Sequence, residues 1–312
     1  MNFVYDIPDM RKIRVIIDTD AKAEADDQFA IVHALLTPKF LVKGIVTAHF
    51  YNAFTGENPF NDTMERSDKE AKYLVELLNL ENDIPVFRGA KSALLNKETP
   101  QTGEGIHFII EEALRDDIHP LFIVVQGTLT NVASALLQNP AIAQKMTVVW
   151  IGGAPYSAGG GYEFNLTVDL LAANIVFSSK VPMWQIPLNA YTSIKIGFAE
   201  LYLKVRPWGE IGQYLYQQMI DYNNQRTDLP DWPAGESWSL GDSPVIAVLL
   251  DEHKCCYEER EAPQVDLYTA NYIFYTGNRK IRVYHTIDSR FLLEDLFAKL
   301  QLYSCIKTPL IT

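Results

Sequence analysis

The pattern of apolar and polar positions predicts a sheet covered by helices. Short runs rich in Val and Ile alternate with longer segments whose apolar residues recur at helical spacing. Continuously apolar runs are typical of parallel strands that are buried on both faces. Six such strands are predicted, at residues 14–18, 42–48, 84–88, 121–126, 147–151 and 181–188. We therefore expect an α/β fold with a mostly parallel, Rossmann-like sheet flanked by helices.

Helices are predicted between these strands. The first begins near Asp26 and ends before Pro38, and the others include residues 67–80, 111–115, 131–137 and 291–300. Near the C-terminus, residues 272–275 and 281–287 flank the turn sequence TGNRK, which predicts a hairpin.

One segment, residues 206–243, differs in composition from the rest of the chain. It is rich in Trp, Tyr, Asn, Asp, Pro and Gly, which is typical of a long surface excursion. We expect it to be a mobile insertion. No internal repeat or linker divides the sequence, so we expect one large domain over residues 1–312.

Charge and composition narrow the choice of partners. The chain has 27 Lys and Arg residues against 39 Asp and Glu residues, a net charge of −12. This balance argues against a nucleic-acid backbone or an anionic membrane surface as partner. No apolar run reaches the roughly 18–20 residues of a membrane span, and the first residues lack a secretory signal. Three cysteines form neither a disulfide framework nor a zinc pattern, so we expect a cytoplasmic protein.

Four carboxylates stand close together in the sequence VIIDTDAKAEADDQFAI. They are Asp18, Asp20, Asp26 and Asp27, at the carboxyl end of the first strand and the start of the next helix. Open α/β sheets bind their ligands at that edge. Like charges repel unless a cation or a proton neutralises them. An alternative is that Asp26 caps the helix and the other three are solvated loop charges.

Three further polar clusters follow predicted strands or precede helices. In GTLTN, Thr130 is a candidate helix cap, and in EFN, Glu163 and Asn165 are expected at the same edge of the sheet. In GDSP, Asp242 precedes an apolar helix, where it could equally be an ordinary N-cap. Each cluster alone is weak evidence for a functional site.

In this order and at these distances, the four clusters resemble the inosine-uridine preferring nucleoside hydrolase family. DTDAKAEADD resembles the family's DxDxxxDD with two extra residues, and GTLTN resembles GPLTN. IGGA, the following EFN and Asp169 resemble MGGA…EFN…D, and GDSP resembles the late HDP helix start. The resemblance covers nearly the whole chain and implies hydrolysis of the N-glycosidic bond of ribonucleosides to free base and ribose.

The resemblance also implies a bound Ca²⁺. Its ligands would be Asp20, Asp27, Asp242 and the main-chain carbonyl of Thr130, which suits the preference of Ca²⁺ for several oxygen ligands. A cation there would hold two ribose hydroxyls and orient the attacking water. A small-molecule nucleoside is the expected partner, and a homodimer or homotetramer the expected assembly.

Further site residues are implied by the same resemblance. Asp20 would be the general base that takes a proton from the attacking water. Asp26, Glu163 and Asn165 would hold ribose hydroxyls, and Asp18 would order the first loop. The transition state would resemble an oxocarbenium ion, which nearby carboxylates stabilise.

The sequence departs from the family pattern in the first loop and before the late Asp. The first loop is two residues longer and lacks the family's Pro-Gly, so Lys22 and Glu24 either enter the pocket or form a solvated pair. Relatives often have His before the late Asp, a candidate acid for the departing base. Here that position is Gly241, which has no side chain to donate a proton.

Other positions are open to more than one interpretation. The Asn that relatives place after the second strand has no clear counterpart, and His49, Tyr51 or Asn52 could replace it or simply pack. We expect His49 to bind substrate. In the insertion, Trp232 and Trp238 are candidates to stack on a nucleobase, although Trp also serves to pack loops.

Two alternative functions remain at this stage. IIDTD also resembles the strand of haloacid-dehalogenase-type phosphatases, which depend on Mg²⁺, but that interpretation leaves GTLTN and EFN unexplained. The second alternative is a catalytically silent nucleoside- or ribose-binding protein that kept the metal site and lost leaving-group activation at Gly241.

Overall fold

A single large sheet organises the protein. The computed structural model describes residues 5–56, 61–226, 235–252 and 256–307. The strands of the described residues are β1 (Ile13–Thr19), β2 (Phe40–Thr47), β3 (Val86–Arg88), β4 (Leu121–Val125), β5 (Thr147–Ile151), β6 (Met183–Ile186), β7 (Lys195–Gly197), β8 (Ser237–Ser239), β9 (Tyr257–Glu261), β10 (Gln264–Val265), β11 (Tyr272–Ile273) and β12 (Lys280–Tyr284).

The eight-stranded sheet has the order β3-β2-β1-β4-β5-β6-β12-β9. All its neighbouring strands are parallel except β12 and β9, which pair antiparallel. The direction in which strands are added reverses between β1 and β4. In open α/β sheets, ligands bind outside the carboxyl ends of the strands at such a reversal. The expected Rossmann-like architecture is confirmed.

Helices cover both faces of this sheet. They are α1 (Asp27–Leu35), α2 (Thr63–Leu77), α3 (Glu104–Leu114), α4 (Thr130–Gln138), α5 (Phe164–Val168), α6 (Leu170–Ser178), α7 (Leu188–Tyr191), α8 (Phe198–Lys204), α9 (Gly209–Gln225), α10 (Pro244–Leu250) and α11 (Ser289–Lys307).

Alternation along the strands divides the buried side chains between two cores. Along β1, Val15 and Ile17 belong to one core and Ile16 belongs to the other, because successive side chains point to opposite faces of a sheet. All seven residues of β1 are buried, as expected for a strand covered on both sides. The apolar runs in the sequence therefore correspond to the central strands.

The structure differs from the expectation for residues 206–243. The described part of this segment holds the 17-residue helix α9 and strand β8. One face of α9 carries Ile211, Leu215 and Met219. These side chains are buried in the same core as Val15 and Ile17 of β1. The described part is thus a packed element of the fold, and the expectation of a mobile insertion is corrected there.

Antiparallel pairing near the C-terminus is present, with different partners from those predicted. β12 pairs with β9, and β11 pairs with β10, so residues 272–275 and 281–287 do not form a hairpin with each other. β6 is shorter than predicted because Pro182 and Pro187 flank it and have no N–H group for the ladder. Among the described residues, none of the helices combines the length and apolar character needed to span a bilayer.

Candidate active site

A pocket opens at the carboxyl edge of the sheet, where β1 and β4 end side by side. Asp18 of β1 pairs with Val125 of β4, so the loops that follow these strands start from neighbouring points. The cavity has a volume of about 420 Å³, within the range of small-molecule sites. The polar and aromatic residues that line it are Asp20, Glu24, Asp26, Asp27, Gln126, Tyr162, Glu163, Phe164, Asn165, Tyr191, Tyr222, Arg226, Trp238, Ser239 and Asp242.

Three buried carboxylates form the centre of this pocket. Asp26, Asp27 and Asp242 each offer an oxygen atom, and these atoms lie within 4.8 Å of one another. The hydroxyl of Thr19 donates to Asp27 Oδ1 at 2.5 Å, and the backbone N–H of Asp242 donates to Asp26 Oδ2 at 3.2 Å. Residues more than 200 positions apart in the chain therefore meet at one point, in a group that could hold a metal ion.

The helix-capping alternatives are wrong for these positions. Asp26 precedes α1 but its side chain makes no capping hydrogen bond. The N-cap of α10 is Ser243 rather than Asp242, and Thr130 is the first residue of α4 rather than its cap. The carboxylates of Asp26 and Asp242 consequently face the pocket instead of satisfying helix ends.

Asp20 lines the same pocket from the end of β1. The space for its carboxyl group exists because residue 127 is glycine, where a Cβ atom would lie 2.5 Å from Asp20 Cγ. Asp20 Oδ2 is buried and makes no hydrogen bond to any described residue. A buried carboxylate oxygen without a partner is costly unless a ligand satisfies it.

Burial and mutual repulsion perturb the acidity of all four carboxyl groups. Burial raises the pKa of Asp27 to about 7 and that of Asp26 to about 6. Burial, followed by the charges of neighbouring carboxylates, raises the pKa of Asp20 and of Asp242 well above the usual range. If all four carboxyl groups are ionised, their mutual repulsion destabilises the cluster unless a positive charge is bound among them.

Glu163 and Asn165 reach the pocket from the start of α5. Glu163 accepts hydrogen bonds from the backbone N–H groups of Gly153 at 2.7 Å and Leu166 at 2.9 Å, and from the Tyr191 hydroxyl at 2.8 Å. The Asn165 amide donates to the carbonyls of Gln126 and Ile151, both at 3.0 Å. Both side chains are held rigidly, and Glu163 also caps α5, a role that the sequence analysis missed.

Two predicted site residues lie outside the lining of the pocket. His49 is fully buried, its Nε2 is 3.1 Å from Thr130 Oγ1, and burial lowers its pKa to about 4. We expected His49 to contact substrate. The structure contradicts this expectation, because the ring is buried outside the pocket lining and is hydrogen-bonded to Thr130. The hydroxyl of Thr130 also bonds to Asp169 at 2.7 Å, so these groups support α4 and α6. The ligand role of the Thr130 carbonyl stays a prediction.

The other candidates after β2, Tyr51 and Asn52, do not line the pocket either. Asn52 donates to Thr167 Oγ1 at 2.9 Å, and Tyr51 is exposed. Asp18 accepts from the Asn131 amide at 3.0 Å, and burial raises its pKa to about 7. Asn131 belongs to the GTLTN motif, so Asp18 links β1 to the first turn of α4.

Tyr191 occupies the space beside Gly241. A Cβ atom at position 241 would lie 3.0 Å from the Tyr191 ring and 3.3 Å from Asp26 Oδ2. Tyr191 is a pocket residue that the sequence analysis missed, since it is far from every motif. The Tyr191 ring therefore occupies space that a side chain at position 241 would need.

The longer first loop and α9 form another wall of the pocket. Glu24 lines the cavity, whereas Lys22 does not and instead pairs with Glu70 at 3.3 Å. Arg226 also lines the cavity and was not predicted. The solvated-pair interpretation is therefore wrong, because the two loop side chains point to different places.

Of the two tryptophans expected to stack on a nucleobase, the structure describes only one. Trp238 in β8 lines the pocket, but its ring is only 1% exposed and packs edge-on against Tyr222 with ring centroids 5.5 Å apart. Its stacking on a nucleobase stays a prediction. Trp232 lies outside the described residues.

The fold and the pocket define a class of protein: an α/β enzyme with a carboxylate-rich small-molecule site at the strand-order reversal. The chain belongs to the inosine-uridine preferring nucleoside hydrolase family, whose match covers residues 15–288. The resemblance predicted from the motifs is confirmed, and the protein is a nucleoside N-ribosyl hydrolase. The phosphatase alternative is wrong.

Similar proteins differ in the base that their names specify. The chain is 26% identical to the pyrimidine-specific ribonucleoside hydrolase RihA of Salmonella gallinarum, over 93% of this chain and 99% of that protein. The purine-preferring ribonucleoside hydrolase of Gardnerella vaginalis has a similar structure, with a TM-score of 0.75, 20% identity and coverage of 94% and 99%. A plant nucleoside hydrolase, PpNRh1, has a TM-score of 0.72 at 20% identity, with coverage of 93% and 99%.

Proposed function

We propose that this protein hydrolyses the N-glycosidic bond of ribonucleosides in a calcium-dependent reaction and releases free base and ribose for nucleoside salvage. The observation that carries the proposal is the buried group of Asp26, Asp27 and Asp242, next to Asp20 in the same pocket. Asn165 and Glu163 line the same pocket and offer polar groups for a sugar.

The residues of the pocket fit a hard divalent cation. All the candidate side-chain ligands are carboxylates, which is the donor type that Ca²⁺ prefers. One buried oxygen of Asp20 has no hydrogen-bond partner among the described residues, and burial and neighbouring carboxylates raise the pKa of Asp20 and Asp27, which supports a site that a proton or a cation neutralises. Asp20, Asp27 and Asp242 would hold the ion. When bound, Ca²⁺ supplies charge neutralisation and a template for hydroxyl groups and water.

The chain's own residues then bind the sugar and move one proton. Asp26, Glu163 and Asn165 orient ribose hydroxyls, and Asp20 accepts a proton from the water that attacks C1′. The surrounding carboxylates stabilise the positive charge that develops on the ribose ring. The rigid hydrogen bonds of Glu163 and Asn165 keep these groups in place before substrate arrives.

The proposal is tested with a panel of inosine, adenosine, uridine and cytidine, each with and without a chelator. We expect release of base and ribose from at least one of the four with calcium, and loss of that activity on chelation. Activity that is unchanged by a chelator would contradict the role of calcium.

The missing acid at position 241 favours a second candidate function, a catalytically silent nucleoside-binding protein. Gly241 cannot protonate a departing base, and no histidine lines the pocket among the described residues. The same panel decides between the two, because a silent protein would bind nucleosides in calorimetry without releasing base from any of them.

Replacing Gly241 by His is expected to reduce activity rather than supply the acid. The new side chain would meet the Tyr191 ring, and overpacking of this kind typically costs about 1–3 kcal/mol. We expect the melting temperature and kcat/KM to fall, with a smaller fall for Gly241→Ala. A faster Gly241→His enzyme would show that Tyr191 moves aside and that the position accepts a proton donor.

The contribution of Asp26 and Asp27 to the stability of the metal-free protein is expected to fall as the pH rises. The pKa values of Asp26 and Asp27 are about 6 and 7 in the folded state, above their unfolded values. The folded state therefore binds more protons than the unfolded state between roughly pH 4 and 7, and their stabilising contribution is lost as the pH rises through that window.

A comparison of melting temperatures with and without calcium isolates this effect. His33 and His49 are buried with their pKa values lowered to about 4, so they oppose the trend in the total stability. The two histidines contribute equally with and without calcium, so the calcium-induced rise in melting temperature does not contain their contribution. We expect that rise to be several degrees larger at pH 8 than at pH 5. An equal rise at both values would contradict proton binding by the cluster.

Location and assembly are further parts of the proposal. Cys305 is an exposed free thiol, which supports the reducing environment of the cytoplasm. A homodimer or homotetramer is the assembly we propose, to be measured by light scattering after size-exclusion chromatography. A monomer at micromolar concentration would contradict it.

A further inference from the structure

A glutamine follows strand β4 on a face of the sheet that is otherwise apolar. Gln126 stands two positions after Val124, so both side chains project from the same face, and Val124 packs there in one core with Ile17 and Ile151. The residue between them, Val125, pairs with β1 on one side and with β5 on the other. Gln126 therefore lies at the carboxyl edge of the sheet, in a position where a buried strand would normally continue with an apolar side chain.

The side-chain amide of Gln126 is buried and unpaired. Neither Nε2 nor Oε1 has a hydrogen-bond partner among the described residues. Gln126 is only 1% exposed, yet it lines the cavity together with Asp20, Asp27 and Glu163, which are no more than 2% exposed. Low exposure is thus shared by several polar groups of this pocket. Buried polar side chains are normally hydrogen-bonded, so an amide with two unpaired atoms at a cavity indicates a group that pairs with a ligand.

The main chain holds Gln126 between two residues that face the sugar in the proposed reaction. Its backbone N–H donates to the Asp18 carbonyl at 2.8 Å, and its carbonyl accepts from the Asn165 amide at 3.0 Å. The next residue, Gly127, lies against Asp20, because a Cβ atom there would be 2.5 Å from Asp20 Cγ. The part of a nucleoside that reaches Gln126 is therefore the ribose rather than the base.

The chemistry of the neighbouring groups favours a hydroxyl as the partner of this amide. A sugar hydroxyl has one proton to donate and two lone pairs to be satisfied. Ionised carboxylates such as Asp26 and Glu163 accept that proton but offer nothing to the lone pairs. The Asn165 amide already donates to two main-chain carbonyls. Gln126 Nε2 adds N–H donors to a pocket in which acceptors predominate.

We propose that Gln126 is a specificity-determining residue that binds a hydroxyl group of the ribose, with Nε2 donating to the hydroxyl oxygen. Oε1 accepts the proton of the same or a neighbouring hydroxyl. The inference rests on the proposed function and names the residue that selects the sugar. A nucleoside without that hydroxyl leaves the amide unpaired in the complex, and an unpaired buried polar group is a strong basis for rejecting a substrate analogue.

Melting temperatures separate this role from a structural one. Gln126→Met keeps a side chain of similar volume and removes the unpaired amide, so we expect the ligand-free protein to melt at the same or a higher temperature. Gln185→Met is the matched control. Gln185 is also fully buried, but it lies outside the pocket lining, donates to the Gly152 carbonyl at 2.9 Å and accepts from the Tyr156 hydroxyl at 2.7 Å. Its replacement should lower the melting temperature by several degrees.

The experiment measures the preference of each enzyme for a complete ribose. The nucleoside that the calcium-loaded wild type hydrolyses best is compared with its 2′-, 3′- and 5′-deoxy analogues, and each preference is a ratio of two kcat/KM values. Both compounds are measured on one preparation, so the ratio does not depend on the fraction of protein that is correctly folded. Calorimetry gives the same ratios for dissociation constants and includes analogues that bind without reacting.

We expect Gln126→Met to lower the preference at least about tenfold for one of the three analogues, or for two of them if the amide bridges neighbouring hydroxyls. The analogue affected identifies the hydroxyl that Gln126 binds. The remaining preferences should change by less than twofold, and Gln185→Met should leave all three unchanged. Gln126→Leu, with a shorter side chain, should give the same pattern, which shows that the Met side chain does not itself obstruct the sugar.

The inference is overturned if all three preferences stay within twofold in both Gln126 variants, the result expected when a solvent molecule pairs with the amide. It is also overturned if all three fall to a similar extent, or if Gln126→Met lowers the melting temperature as much as Gln185→Met. These results leave the proposed function intact when the wild type releases base from a nucleoside. If the calcium-loaded wild type hydrolyses none, the proposed function fails and the calorimetric preferences still test Gln126. Absence of binding as well overturns both.

Discussion

Asp20→Asn is expected to lower kcat by about 10²-fold or more, because removal of a general base typically costs 10²–10⁴-fold. The amide has nearly the shape of the carboxylate but cannot accept the proton of the attacking water. Asp20 lies against Gly127 with one buried oxygen unpartnered by described residues, so the substitution disturbs little packing. We expect KM to change much less than kcat.

The measurement is initial-rate kinetics at saturating calcium, which separates loss of the base from weaker metal binding. Asp116→Asn is the control, since Asp116 is exposed and distant from the pocket. A near-normal kcat for Asp20→Asn would mean that another carboxylate, such as Glu24, accepts the proton.

The sheet and the central carboxylates could be predicted from the sequence for clear physical reasons. Strands buried on both faces have continuous apolar runs, and the residues after them must meet at one edge because parallel strands share a direction. Asp20 was placed at this edge in this way, whereas Asp242 was identified only through the resemblance of GDSP to the family's helix start. The signal for α9 was also present, since Ile211, Leu215 and Met219 follow helical spacing, but the polar composition around them hid it.

Features that depend on distant parts of the chain were not predictable. β9 has the sequence YEERE, whose exposed acidic residues carry no strand pattern, and it is defined by its pairing with β12. Tyr191 and Arg226 join the pocket through packing rather than through a motif. The direction of Glu24 depends on hydrogen bonds from a helix almost 200 residues further along the chain.

Asp27→Asn is expected to weaken calcium binding by at least about 100-fold, because loss of a group that only supports a metal ligand already costs 10–100-fold. The Asp27 carboxylate lies within 4.8 Å of those of Asp26 and Asp242 and accepts the Thr19 hydroxyl. Isothermal titration calorimetry measures the affinity. Unchanged affinity would exclude Asp27 as a ligand.

The same substitution should have opposite effects on the metal-free and the calcium-loaded protein. In the absence of metal it removes one of several mutually repelling buried carboxylates, so we expect the melting temperature at pH 8 to rise. With calcium, the stabilisation by bound ligand is lost and the melting temperature falls below that of the wild type. Asp116→Asn should show neither change.

Hydrolysis by Asp27→Asn should recover in part at high calcium concentration, because mass action refills the weakened site, whereas Asp20→Asn should stay slow at any calcium concentration. Recovery of both variants, or of neither, would contradict the separate roles of the two carboxylates.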